Sequence, residues 1–236
     1  MADAVVVAVH QPTFLPWLGF FDKLSRADVF VVLDDVQFAR GGHGNWVNRV
    51  KWLVDGKPAW ATVPVKRSHR GLETIRSVEI ADDVAWRSKL VNGLQRQYRH
   101  AAAFGEAMPY FADLLAFQTT SICEFNIHAI EQLRRRLGIE RARMIRQSEI
   151  GVTGQATDLL VQLVRAAGGT AYLCGDGSTE YLETEAFSRA GLGLEFQRFA
   201  HPVYPQHGVS EFVSGLSIVD AAMQCGFASA ARWFAS

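Results

Sequence analysis

The chain has 236 residues, of which 49% are hydrophobic and 20% charged; this is ordinary globular composition and ample for a buried core. Its 24 basic and 24 acidic residues give a formal net charge of zero, so nothing global steers it toward nucleic acid or an anionic membrane. The opening Met-Ala-Asp-Ala-Val lacks the basic n-region of a signal peptide, no apolar stretch approaches the roughly 18–20 residues that span a bilayer, and Cys123, Cys174 and Cys225 show no metal spacing, so a cytoplasmic protein with reduced thiols and no membrane span is expected.

Residues 4–9 (AVVVAV) predict a buried strand, short, β-branched and stopped by a turn signal. Residues 17–26 predict a short helix with Leu18, Phe21 and Leu24 inward, and 29–33 (VFVVL) a second buried strand ending at Asp34-Asp35. Strand, helix and strand over about thirty residues is the size of a βαβ unit, which makes the two strands parallel. The glycine-bearing stretch 36–51 predicts a loop. Residues 50–54 and 59–65 predict strands paired around Asp55-Gly56-Lys57-Pro58, and 75–80 (IRSVEI) predicts one more strand.

From 84 to 137 the pattern is helical. Trp86, Leu90 and Leu94 recur at spacing four, Ile127, Ile130, Leu133 and Leu137 form a later apolar face, Arg134, Arg135 and Arg136 favour the last turn, and Gly138 is a helix stop. Residues 142–147 predict a strand. Thr153 is the expected cap of a helix whose inner face is Ala156, Leu159, Leu160, Leu163 and Val164, ending at Gly168-Gly169. A strand at 170–174, the turn Gly175-Asp176-Gly177-Ser178, a helix at 179–190 and a strand at 193–199 follow. The expected class is α/β: a mostly parallel sheet flanked by helices, with a helical insertion in the middle. Residues 1–83 would form an N-terminal α/β part, 84–141 the helical segment, and 142–236 a C-terminal α/β part completing the same domain.

Several clusters have chemical potential, and each also has an ordinary structural role open to it. His10 and Gln11 stand where the first strand ends, and ligands of parallel sheets bind outside carboxyl strand ends; Pro12 stiffens that turn, and His10 could equally just bond a neighbouring loop. Asp34, Asp35 and Gln37 end the second strand, as general base, metal ligand or hydroxyl ligand on one reading and as turn residues on the other. Arg49 and Lys51 alternate onto one strand face near Asn45 and Asn48, which suits a phosphate or carboxylate, or simply a solvated edge. Gly175 opens a glycine turn that can cradle an anion, with Tyr181 one helical turn on, though neither the P-loop nor GxGxxG pattern is met. In "HPVYPQHGVSEF", His201 and His207 lack zinc spacing, and the prolines predict a stiff loop displaying polar side chains.

Taken in order, "HQPTFLPWLGFFDKL", "ADVFVVLDDVQF", "NRVKW", "WATVPV", "SEIG", "AYLCGDGSTEYL", "HPVYPQ" and "LSIVDAAMQCG" resemble the WbqC-like family from the first strand almost to the C-terminus. Three stretches depart from the family pattern: the glycine-rich "RGGHGNWV" stands where relatives tend to be polar and basic, "CGDGSTEYL" follows the pattern loosely, and "DAAMQCG" replaces bulkier apolar residues.

The resemblance implies proteins encoded among O-antigen and other surface-polysaccharide or natural-product genes, and a transferase with a small-molecule donor and a sugar or amine acceptor. On that reading His10, Asp34 and Asp35 are candidate catalytic groups, with Gln11, Trp17, Gln37, Asn48, Arg49, Lys51, Gly175, Tyr181, His201, Tyr204 and Gln206 as substrate contacts. No residue pattern names a cofactor, a metal or a nucleic-acid partner. A nucleotidyl or adenylating enzyme and a non-catalytic sugar-binding protein are the competing readings.

Overall fold

The computed structural model describes residues 4–39, 45–66, 73–81, 85–175 and 182–234. The β-branched run after the N-terminus forms β1 (Val6–His10), and the apolar-faced helix α1 (Leu18–Arg26) returns the chain to β2 (Val29–Val32). β1 and β2 are adjacent and parallel, with Val7 opposite Val29 and His10 opposite Val32. Three later strands join them: β5 (Arg143–Arg146), β6 (Ala171–Cys174) and β7 (Gly193–Phe196). The sheet order is β5-β2-β1-β6-β7, and every pairing in it is parallel.

Alternation along β1 divides the core in two. Val6 and Ala8 join Phe20, Phe21 and Leu24 of α1 on one face, while Val7 and Val9 meet Leu159, Leu163 and Val164 of α6 (Ala156–Ala166) on the other. Helices on both faces explain why the central strands are continuous hydrophobic runs. A two-stranded sheet stands apart: β3 (Arg49–Val54) and β4 (Lys57–Thr62) pair antiparallel through Asp55 and Gly56, both at positive φ (49° and 74°), as a two-residue hairpin demands. The helical middle comprises α2 (Trp86–Tyr98), α3 (Phe104–Leu115) and α4 (Ile122–Arg136), and Gly138 follows α4 in the left-handed region. The short α5 (Gln147–Ile150) follows β5, and α7 (Thr184–Arg189) precedes β7. No helix of the described residues is long and apolar enough to cross a membrane.

Several sequence expectations are corrected in detail. Residues 75–80 do not form a strand. Ile75–Ser77 is one 3₁₀ turn, followed by isolated bridges, because Ile75, Val78 and Ile80 need a three-residue step before the two-residue one to bury all three. α6 starts after Gln155 with no side-chain cap, so Thr153 is not its N-cap. β4 ends at Thr62 and β7 at Phe196, short of 65 and 199. The turn expected at 176–178 and the start of the helix expected at 179 lie outside the described residues. The chain also ends on helices that its periodicity had not disclosed, α8 (Ile218–Cys225) and α9 (Phe227–Ala231).

One side chain ties the irregular parts to the regular ones. Asn126, fully buried in α4, donates through Nδ2 to the carbonyl of Pro12 at 2.8 Å and to that of Val47 at 2.7 Å. Both carbonyls belong to segments without sheet partners, and a buried carbonyl without a donor is costly. Asn126→Ala is therefore expected to lower the unfolding free energy by about 2–4 kcal/mol in urea denaturation; a loss under 1 kcal/mol would mean that other groups satisfy both carbonyls.

Candidate functional site

From β1 the sheet grows one way through β2 to β5 and the other way through β6 to β7. The carboxyl ends of β1 and β6 therefore part company, and such a switch point is where open α/β sheets hold ligands. A cleft of about 480 Å³ lies there, in the size range of small-molecule sites. Its polar lining comes from the ends of three strands and from α1: His10 ending β1 with Gln11 after it, Gly175 after β6, Gln197 after β7, and Lys23. Thr13, Trp17 and Trp46 line it as well, over an apolar floor that includes Phe14 and Phe20.

His10 shares the face of Val6 and Ala8, which brings its ring edge-to-face with Phe20, centroids 5.0 Å apart. Its Nδ1 lies 2.9 Å from the Gln11 carbonyl oxygen. Burial, and secondly the charge of Lys23, push its pKa from 6.5 down to about 4, against the opposing pull of the Gln11 hydrogen bond. The imidazole is thus neutral at neutral pH. With the carbonyl as partner, Nδ1 carries the proton and Nε2 the lone pair. In the unliganded protein His10 is therefore an acceptor at Nε2 rather than a cation.

Lys23 is a charged side chain only 3% exposed. Its Nζ donates to the Val9 carbonyl at 2.9 Å and stands 5.7 Å over the Tyr172 ring. Gln197 is oriented by two acceptors, since its Nε2 donates to Gly19 O at 2.6 Å and to Asp22 Oδ2 at 2.8 Å. Thr13 Oγ1 is buried without a hydrogen-bond partner among the described residues. Gly19 has a steric reason: a Cβ there would overlap the Trp17 indole, which folds back over the first turn of α1.

The residues expected from sequence fall into two groups. His10, Gln11, Trp17 and Gly175 come together in the cleft. Asp34 and Asp35 do not line it. Asp34 accepts from the backbone and hydroxyl of Ser148 at 2.9 and 2.6 Å, on the β5 side of β2, and Asp35 is ion-paired to Arg76 at 2.7 Å. Gln37 is exposed beside an isolated bridge to Thr74. Asn48 is turned into the hairpin base, accepting from Asn45 and donating to Val63 O. Arg49 and Lys51 lie on the strand face opposite Val50, which lines the cleft, and they cover the Trp60 ring at 4.3 and 5.0 Å. Tyr204 and Gln206 donate to the buried carboxylate of Asp220, both at 2.8 Å. His201 packs against Phe199, Tyr204 and Phe212, and Phe199 in turn meets Trp17 of the cleft. Tyr181 lies outside the described residues.

Lys23, Gln197 and Thr13 had not been singled out. A signal for Lys23 exists in "LGFFDKLSR", where it falls four residues after Gly19 and three after Phe20, on the helix's inward face. Gln197 carried no such signal.

The low pKa of His10 has a consequence for stability. The unfolded chain protonates His10 near 6.5, while the folded protein resists until about 4. Stability from this group is present above pH 6.5 and is lost as pH falls from 6.5 to 4, by up to about 3 kcal/mol. His10→Asn should flatten that part of the curve of unfolding free energy against pH; parallel curves for wild type and variant would place His10 in a solvated environment.

A family model described as the WbqC-like protein family matches residues 11–232. The uncharacterized protein Rv1507c of Mycobacterium tuberculosis is 27% identical over 187 residues, covering 79% of this chain and 79% of the relative. No solved structure gives a significant match.

Proposed function

The chain belongs to the WbqC-like protein family, and on that premise we propose that it is a small-molecule transferase, moving an acyl, aminoacyl or glycosyl group onto a sugar or amine acceptor in surface-polysaccharide or natural-product biosynthesis. One observation carries the reading: a neutral imidazole with its lone pair on Nε2 and a buried ammonium line the same switch-point cleft. Lys23 holds the anionic part of the donor. The acceptor's oxygen or nitrogen attacks the electrophilic carbon of the donor, and the leaving group departs with the bonding pair. His10 Nε2 takes the proton that the nucleophile loses and returns it to the leaving group. An anion seated beside Lys23 offsets the charge that holds His10 down, so donor binding makes the imidazole a better base. Asp34 and Asp35, already engaged with Ser148 and Arg76, support the frame. The unbridged cysteines favour a reducing compartment, the cytoplasm.

The donor is to be found by thermal shift against nucleotide-sugars, acyl-CoA and ATP, where a ligand at a hundred times its Kd stabilises by about 2.7 kcal/mol. ATP as the sole stabiliser would favour an adenylating enzyme. With the donor in hand, His10→Asn should fold, bind the donor within a few-fold and lose on the order of 10² or more in turnover. Wild-type turnover in that variant would remove His10 from the chemistry.

A further inference from the structure

The face of the β3–β4 hairpin turned away from the cleft carries side chains that the reaction leaves unused. Alternation and register place Arg49, Lys51, Trp60 and Thr62 on it, with Arg49 opposite Thr62 and Lys51 opposite Trp60. Among the described residues Trp60, 39% exposed, and Val203 are the large hydrophobic side chains left open to solvent. The Arg49 guanidinium and the Lys51 ammonium stand over the Trp60 ring, 4.3 and 5.0 Å from its centroid. Cations laid along an indole are held in place, so less freedom is lost when an anion reaches them. Arg49 is further held by its Nε, which donates to Asn45 O. The Lys51 ammonium has no hydrogen bond or ion pair among the described residues. These charges are not needed to guard an open strand edge. Lys51 O already accepts from Ser217 N at 2.8 Å, and Val47 O, just before β3, accepts from Asn126. Trp46 joins this face to the cleft, since it lines the cleft and packs on Trp60 with centroids 5.2 Å apart.

Resting on the reading of the cleft as the group-transfer site, we propose that this hairpin face binds an acidic oligosaccharide, an acceptor chain whose end reaches the cleft past Trp46. Acidic groups of the chain meet Lys51 and Arg49, and the apolar side of a sugar ring meets the open part of Trp60. A single-stranded nucleic acid fits less well. Its bases stack on open aromatic faces, and the Trp60 ring already lies under two cations and against Trp46. An anionic bilayer fits less well too, because one half-open indole beside two cations is a small footing for a membrane.

Binding measured without turnover tests this separately from the transferase reading. Calorimetry compares a hyaluronan hexasaccharide with chitohexaose, which shares its N-acetylglucosamine units and lacks its carboxylates. Wild type should bind the acidic chain at least about tenfold more tightly at low salt, and most of that preference should vanish at about 0.5 M salt. A hyaluronan disaccharide, too short to run from the hairpin face to the cleft, should bind more weakly than the hexasaccharide. Lys51→Gln should keep the wild-type melting temperature and weaken the acidic hexasaccharide by about threefold or more. Trp60→Ala takes away the surface on which both cations lie and should weaken it by about fivefold or more. The surface is overturned if the two hexasaccharides bind alike or not at all at millimolar concentration, if the disaccharide binds as tightly as the hexasaccharide, or if either folded variant binds like wild type. Tighter binding of phosphatidylglycerol vesicles or of an oligothymidylate than of hyaluronan overturns it as well. Lys51-dependent binding of the acidic chain with no group transferred in any assay would sink the transferase reading and leave the surface standing. Transfer to a free monosaccharide without such binding would do the reverse.

Discussion

The seven residues between β1 and α1 have no regular structure of their own, yet their backbone is buried, and this obliges the rest of the molecule to supply hydrogen bonds to them. Asn126 of α4 donates to Pro12 O. Phe14 N donates to Trp46 O, Ser217 Oγ donates to Leu15 O at 2.7 Å, and Ile218 N donates to Pro16 O. Leu15 is held at φ 39°, a conformation that a fully buried leucine keeps only when its surroundings over-determine it. The helical middle, the hairpin approach and the C-terminal helix thus converge on one turn. That turn carries His10 and Gln11 at one end and Trp17 at the other.

A second buried centre frames the region from behind. The Asp220 carboxylate, in α8, accepts from Tyr98 in α2 and from Tyr204 and Gln206 in the His-Pro loop, and Tyr98 in turn accepts from Leu53 N in β3. Burial raises the pKa of Asp220, while the hydrogen bonds from Tyr204, Gln206 and Tyr98 oppose that rise. A buried carboxylate is tolerable only when satisfied in this way, and removing one donor exposes its full desolvation cost. The proline-stiffened loop is therefore built to brace the C-terminal helix. Tyr204 and Gln206 are spent on that bracing, and Phe199, just before the loop, meets Trp17 of the cleft.

The electrostatics of the cleft follow from the same confinement. Lys23 is buried with its ammonium on the Val9 carbonyl, and its charge adds to desolvation in keeping His10 neutral.

Local pattern alone was enough for the parallel β1–α1–β2 unit, the Asp55-Gly56 hairpin, the helical middle and the Gly138 stop, because each is decided by periodicity or by a backbone angle that few residues tolerate. It also placed His10, Gln11 and Gly175 at strand ends. Which charges are buried was decided only by the tertiary structure. Helix spacing puts Lys23 on the inward face of α1, but its burial depends on the Val9 carbonyl of β1 and the Tyr172 ring of β6. Gln197 becomes a site residue through hydrogen bonds to Gly19 and Asp22, 178 and 175 positions away. Asp34 and Asp35, which as a pair at a strand end looked catalytic, turn away because Ser148 and Arg76 reach them first. Strand and helix are set by neighbours along the chain; the partner of a buried polar group is set by whichever segment folds against it, and no local pattern encodes that distance.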